Sequence, residues 1–478
     1  MKHLKTFENH TKYEEAKQSL ILPNVSLCEQ ENEVHYNPYV EPPHDYSQDY
    51  FTMVVTSGGD INWSGSTTSN TLSYSKDNGE NWSAVTSADT ISVAAGDKVL
   101  WKGTTKPQVN KGIGKFSGAT DVKYYVEGNV MSLLFGDNFK GQTSLSGKDW
   151  ALYGLFTSNT NVTSAENMSL PATTLAYYCY AWMFQGCTSL TTVPELPATT
   201  MANGGYSYMF YGCTSLTTAP ELPATTLEVN CYNSMFSNCT SLTAAPELLA
   251  TTLANDCYEY MFYNCTSLTS APELPATTLA NACYQYMFQG CTSLTSAPEL
   301  PTTTLAQDCY SNMFNGCTSL TTAPELPATT LEISCYSNMF SNCTSLTSAP
   351  ELPATTLRRD CYIHMFYNCT SLTSAPELPA TKLIEGCYNG MFNGCTSLTT
   401  APELPATTLA QDCYEYMFYN CSGLNYIKCL ATTNISTTNC NNWVKGVALS
   451  GTFVKAASAS WTTSTSAIPS GWSVQDEA

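Results

Sequence analysis

The stretch Leu253-Ala-Asn-Asp-Cys257-Tyr-Glu-Tyr-Met261-Phe262-Tyr-Asn-Cys265-Thr-Ser-Leu268, followed by Thr-Ser-Ala-Pro-Glu-Leu-Pro, recurs with small changes along most of this chain. Its Met-Phe pair appears ten times at an interval of 26 residues, from Met183-Phe184 to Met417-Phe418. A unit of this length that opens on leucines cannot close a core alone and must stack on copies of itself. The sequence therefore reads as a solenoid over more than half of its 478 residues, with function on its outer faces or its ends.

Within one copy, Leu253, Cys257, Met261 and Cys265 stand four apart, as do Leu175, Cys179, Met183 and Cys187. The spacing predicts one face of a helix of about three turns, capped by the preceding Thr-Thr. Thr-Ser-Leu-Thr-Thr-Ala then reads as a short strand, ended by a proline that removes a backbone donor. The expected architecture is an α/β repeat solenoid of about ten 26-residue coils, each a short parallel strand plus a helix.

Nineteen of the 22 cysteines obey the repeat register, in two columns. One runs from Cys187 and Cys213 to Cys421; the other runs from Cys179 and Cys231 to Cys413, with Gly205 at its second rung. A bridge within each copy would leave Cys213 without a partner. On a helix, Cys257 and Cys265 would also lie about 12 Å apart, beyond bridging reach. Buried free thiols acting as small hydrophobes fit better. A zinc column lacks CxxC pairs and histidines, so no metal is expected.

The net charge of −20 comes from only 12% charged residues. Such a surface of Thr, Ser, Asn and Tyr repels nucleic acid and anionic membranes. No 18-residue apolar run is present to span a bilayer, and Met1 to His10 lacks the apolar core of a secretory signal. Membrane insertion and nucleic-acid binding are not expected.

The pattern Met-Phe-x-Gly/Asn-Cys-Thr-Ser-Leu-Thr resembles the BspA-type leucine-rich repeats of bacterial surface proteins, over about residues 167 to 424. The resemblance implies a leucine-rich-repeat-like fold and, for function, an adhesin. The chain departs from it in Ala-Pro-Glu-Leu-Pro, which puts the regularity of the sheet in doubt. Ser75-Lys-Asp77-Asn-Gly79-Glu-Asn-Trp82 is similar to the Asp box of sialidase-like β proteins, which implies a folded hairpin and not an active site. Asn78-Gly79 is in any case a tight-turn signal.

Four regions follow. Residues 1–48 read as an anchoring arm, with a capping box at Thr11 to Glu14. Residues 49–128 read as a small all-β sandwich-like domain, with strands at Phe51, Thr71, Thr90 and Lys98. Residues 129–425 form the solenoid with a degenerate N-terminal cap. Residues 426–478, with Trp443, Trp461 and Trp472, form a C-terminal cap. The segments from Asn24 to Asn37 and from Ile468 to Gln475 are similar to segments of virion proteins from phages of gut Bacteroides, the crAss-like group among them. That resemblance implies an arm docked on other virion proteins and a rod pointing outward.

No catalytic constellation emerges. Nine glutamates, Glu195 through Glu403, recur once per coil and read as solvated surface, with bound calcium as the rival. Nine equivalent carboxylates make no unique cleft, and the five histidines are scattered. No cofactor and no catalytic residue is expected. The positions that vary between coils are a candidate ligand face: Trp182, Tyr208, Tyr260, Tyr263, Tyr286, His364, Tyr416 and Tyr419. The expected function is a non-enzymatic, homo-oligomeric phage virion surface protein, a fibre or decoration made in the bacterial cytoplasm. Its partner would be a bacterial surface glycan or protein. The alternative is a bacterial cell-surface adhesin.

Overall fold

The computed structural model describes residues 44–65, 72–104 and 106–477. The capping box at Thr11 and most of the arm lie outside the described residues.

Each 26-residue copy is one coil, but its Cys-Met-Cys segment is not a helix. The reason lies in where the peptide groups bond. In the coil around Met261, the N–H groups of Cys257, Glu259, Met261, Tyr263 and Cys265 donate three residues back, to Ala254, Asp256, Tyr258, Tyr260 and Phe262. The N–H groups between them, from Asp256, Tyr258, Tyr260, Phe262 and Asn264, donate instead to carbonyls of the next coil, at Asn281, Cys283, Gln285, Met287 and Gln289. The segment is thus a run of overlapping tight turns with four residues per period. Two side chains point in and two point out, so Cys257, Tyr258, Met261, Phe262 and Cys265 are buried while Glu259, Tyr260, Tyr263 and Asn264 are half-buried.

This corrects the expected helix, and the physical grounds are clear. An α-helix turns about 400° in four residues, so a stripe with a period of four would drift by about 40° at each step. The stacked cores also sit too close together: Phe236, Phe262 and Phe288 have ring centroids 5.8 and 5.6 Å apart. Packed helices need about 8–10 Å between axes. Every fourth residue of the turn run has positive φ, for example Asp256 (57°), Tyr260 (55°) and Asn264 (56°). The third such position is Gly or Asn in all ten copies, from Gly186 to Asn420, the residues that tolerate left-handed backbone.

The expected strands shrink to isolated parallel bridges such as Thr218–Ala244, Leu222–Leu248 and Thr226–Thr252. Pro220 and Pro223 lie between these contacts and remove the donors that would join them into a continuous strand.

Two aromatic columns fill the core. Phenylalanines from Phe156 to Phe418 stack coil on coil, and a parallel row of tyrosines from Tyr180 to Tyr414 ends on Trp443. The cysteines among the described residues are free and buried. From Cys213 to Cys421, the thiol next to the phenylalanine row donates to the Phe carbonyl of the preceding coil, for example Cys265 Sγ to Phe236 O at 3.1 Å.

Before the solenoid come two sheets. β1 (Phe51–Ser57), β3 (Leu72–Ser75), β4 (Ser83–Val85), β6 (Lys98–Gly103), β8 (Lys123–Asn129) and β9 (Asn167–Ser169) form one, in the order β4-β3-β6-β1-β8-β9. β2 (Gly59–Ser64), β5 (Thr90–Val93) and β7 (Lys115–Gly118) form the other, in the order β5-β2-β7. Rings from both meet where Phe116 touches Phe51 and Trp101. A short helix, α1 (Ser132–Phe135), follows β8. The parallel pairing of β8 with β9 carries the first sheet into the coils. Residues 150–158 supply the first wall, since Trp150, Leu152, Gly154, Phe156 and Ser158 donate to the coil of Met183.

At the other end, β10 (Tyr426–Cys429), β11 (Thr452–Lys455) and β12 (Ser473–Asp476) form a parallel sheet. Trp443 is buried, stacks on Tyr414 and Trp461, and donates from Nε1 to Ala467 O at 2.9 Å.

Tyr232 and Tyr284 belong to the buried tyrosine row, yet their hydroxyls have no hydrogen-bond partner among the described residues. Removing such an oxygen relieves a desolvation cost, while removing a ring empties the stack. Tyr284→Phe is expected to leave the denaturant midpoint unchanged or raised, within about 1 kcal/mol. Phe288→Ala is expected to cost about 3–5 kcal/mol. Gly316 has φ 76° and space for a methyl group, so Gly316→Ala isolates the backbone penalty of about 1–2 kcal/mol.

Candidate functional site

The turn wall is the face on which the coils differ. Its second left-handed position carries Trp182, Tyr208, Ser234, Tyr260, Tyr286, Asn312, Asn338, His364, Gly390 and Tyr416 in successive coils, with φ between 51° and 58° throughout. Bulky side chains are uncommon in this conformation. The cost is about 1–2 kcal/mol per residue. These rings are only partly buried, so core packing does not explain their presence.

The structure sorts the eight candidate residues into two groups. Trp182 stacks on Tyr208 with centroids 4.6 Å apart and planes 3° from parallel, and Tyr260 stacks on Tyr286 at 4.4 Å and 4°. Tyr263 sets its edge against Tyr260 at 5.6 Å. Farther along, Tyr416 and Tyr419 meet edge to face at 5.7 Å, and His364 contacts Tyr367 at 5.5 Å. The coils of Asn312 and Asn338 separate the groups. His364 leans over Gly390, where any Cβ would collide with the imidazole. Burial pushes the pKa of His364 below its usual value.

Sequence reasoning missed the start of this face. Trp150 stacks on Tyr178 at 4.8 Å, Tyr153 contacts Trp182 at 5.0 Å, and a hollow of about 490 Å³ opens between these rings and Val109. The signal was available in the four-residue spacing of Trp150, Gly154 and Ser158, which share the left-handed geometry of later coils. Tyr211, which contacts Tyr208 at 5.7 Å, was also missed.

Burial raises the pKa of three carboxyls of the wall, Asp256, Asp360 and, most strongly, Glu259. Burial, reinforced by Asp256, raises that of Glu259 from 4.5 to about 7, although Asn233 Nδ2 donates to Glu259 Oε2 at 2.8 Å. The repeated glutamates Glu195 to Glu403 lie on a different face and are exposed; Glu403 pairs with Lys428 at 3.0 Å. Among the described residues, no group of three or more His, Cys, Asp or Glu side chains is placed to hold a metal ion. Burial also raises the thiol pKa values, that of Cys265 well above its usual value and those of Cys239 and Cys291 to about 12. Such thiols stay protonated and unreactive.

The Ser75–Trp82 motif is a folded turn between β3 and β4. Asp77 accepts from Ser75 Oγ (2.6 Å) and from the N–H and side chain of Asn81, which lowers its pKa to about 2. Trp82 Nε1 donates to Gly79 O at 3.0 Å. Ser75, Asp77, Asn81 and Trp82 thus bond within the hairpin, while Lys76 reaches out to Ser92 O at 3.0 Å and Asp97 at 2.9 Å.

The model of the BspA type leucine rich repeat region matches residues 158–272, 206–347, 255–375 and 351–445, which together span more than half of the chain. The chain belongs to the BspA-type leucine-rich repeat family. A search of curated proteins gives no match. Among solved structures, a TLR13–ssRNA13 complex matches at 12% identity and a TM-score of 0.25, covering 64% of this chain and 38% of that one. A likeness of that size carries no argument about fold or ligand. No helix among the described residues is long and apolar enough to cross a membrane.

The Glu259 shift sets a sign for pH dependence. Its folded pKa lies above the unfolded value of 4.5, so the folded state holds the proton more tightly. Stability from this group is therefore greatest below about pH 4.5, falls as pH rises toward 7, and stays low above it. Glu259→Gln is expected to raise the denaturant midpoint relative to wild type at pH 8 and to give no advantage at pH 4.

Proposed function

We propose that this leucine-rich repeat chain is a non-enzymatic surface-adhesion protein whose turn wall binds a bacterial surface glycan or protein. One observation carries the proposal: aromatic rings occupy strained left-handed positions on a partly exposed face, where Gly, Asn or Ser stands in sister coils. Backbone strain of this kind persists at sites of function. The rings bring flat contact area with few rotatable bonds, and the surrounding Ser, Asn and Gln bring neutral hydrogen-bonding groups.

The non-enzymatic reading rests on the chemistry of the side chains. The thiols of the described residues are buried, the glutamate column repeats without a unique cleft, and Asp77 is consumed by its own turn. The net charge of −20 argues against nucleic acid as partner.

The family match favours a bacterial cell-surface adhesin as the carrier of this wall. Display on a phage particle, with residues 1–48 docked on other virion proteins, is the second reading; it draws on the terminal segments alone. Self-association belongs to the same proposal, since repeated weak contacts gain avidity when copies are joined.

A variant carrying Tyr208→Ser, Tyr260→Ser and Tyr286→Asn uses residues that other coils already hold at this position. It is expected to keep the wild-type circular dichroism and melting curve while losing at least tenfold in attachment to whole bacterial cells. Undiminished attachment by the folded variant would remove the wall from the function. Immunogold labelling of purified phage and of bacterial cells separates the two carriers.

A further inference from the structure

The aromatic column on the turn wall is interrupted at one rung inside its better half. Trp182 and Tyr208 form one stacked pair, Tyr260 and Tyr286 the next, and between them stands Ser234. Tyr208 and Tyr260 are thus two coils apart, about 9.5 Å at the usual spacing of neighbouring strands. One ring interposed between them would lie about 4.7 Å from each, close to the 4.6 and 4.4 Å of the pairs already formed. The structure has a cleft here of about 360 Å³, with Tyr208 and Tyr260 as walls, Ser234 and Ser237 as floor and Tyr211 and Tyr263 on its rim, and that volume extends past Tyr208 to Trp182 and Gln185.

Both floor serines are buried, at 3% and 2% exposure. Ser234 Oγ donates to Asn233 Oδ1 at 2.8 Å, and Ser237 Oγ accepts from Asn238 Nδ2 at 3.2 Å. Each hydroxyl retains capacity for a further bond, since a serine oxygen can both donate and accept. No charged side chain lines the cleft.

We infer that the gap at Ser234 is a binding slot for a single neutral pyranose ring, held face to face between Tyr208 and Tyr260. This rests on the adhesive role of the wall argued above. A pyranose has C–H groups on its faces and hydroxyls around its edge. The slot offers the complement: two ring faces as walls, with serine and tyrosine hydroxyls below and at the rim. An aromatic side chain matches the walls but makes no use of the remaining hydrogen-bonding capacity of the floor hydroxyls. A nucleotide carries phosphates into a site without cations on a strongly negative chain. The volume lies within the usual range for small-ligand sites.

The repeat itself supplies the test. Tyrosine is accepted at the equivalent positions Tyr208, Tyr260 and Tyr286, with the same backbone, so Ser234→Tyr completes the column and closes the slot. Asn338→Tyr adds the same side chain four coils away and serves as control. The full chain is titrated with neutral oligosaccharides of glucose, galactose, mannose and N-acetylglucosamine, followed by saturation-transfer NMR and tyrosine fluorescence. At least one of these sugars is expected to bind wild type and Asn338→Tyr alike, and to bind Ser234→Tyr at least tenfold more weakly. Tyr260→Ser, which removes a wall without adding bulk, is expected to weaken it as much; it decides the matter should Ser234→Tyr fail to fold.

Absence of binding by every sugar tested, or binding unchanged in the folded slot variants, would overturn the slot. Competition by indole or phenol equal to that of the sugar would overturn the choice of ligand. Loss of cell attachment in the triple tyrosine variant together with unchanged sugar binding in Ser234→Tyr would sink the slot and spare the wall. Undiminished attachment of both variants would sink both.

Discussion

Half of the peptide N–H groups along the turn wall bond to the neighbouring coil, and the rest of the structure follows from that division. Alternate amides close tight turns within a coil; the amides between them reach across to the next, as from Tyr258 to Cys283 and from Phe262 to Met287. Both sets of donors are satisfied, as buried backbone requires. A helix would spend all its interior amides internally and leave stacking to side chains alone. Here the backbone itself fixes the spacing, so side chains in successive coils stand directly above one another and identical residues form columns.

Those columns explain the choice of residues. Rings separated by about one coil stack in nearly parallel planes, as Phe262 does on Phe288 at 5.6 Å and 6°. Methionine and cysteine fill what remains, because both adapt to small apolar gaps. The buried thiol of Cys265 is held as a donor to Phe236 O, which ties it to the preceding coil without a covalent bridge. The tyrosine row is less economical. Its buried hydroxyls at Tyr180, Tyr206, Tyr232, Tyr284 and Tyr388 lack protein partners among the described residues, so these rings are kept despite a polar cost.

Much of this was legible in the residues. The interval between Met-Phe pairs announced stacking, and the cysteine columns announced buried thiols. The strands expected at Phe51, Thr90 and Lys98 coincide with β1, β5 and β6, and the Asn78-Gly79 turn lies where expected. The helix was a misreading of a true signal. A spacing of four points to a helix only when it alternates with three; the strict fours of Leu253, Cys257, Met261 and Cys265 belong to a backbone with that period. Asn264 and its Gly or Asn equivalents in every copy carried the left-handed signal. Its neighbours hid it, because Tyr260 and Trp182 adopt the same conformation against their preference. Of the candidate face, the residue types were readable, but the pairing of rings and the gap at Ser234 depend on which coils lie next to each other in space.

The division of amides also governs how such a chain can change length. Each donor reaches an acceptor 25 positions onward, so excising 26 residues from the regular region reconnects every bond, with one coil fewer. Excising one residue more or less would exchange the inward and outward roles of the peptide groups and turn ring columns toward solvent. Length in this molecule is therefore quantised. A recombination event that drops or doubles a coil yields a folded protein at once, and the sequence at one rung, such as the serine between two tyrosines, can be moved, copied or erased as a unit.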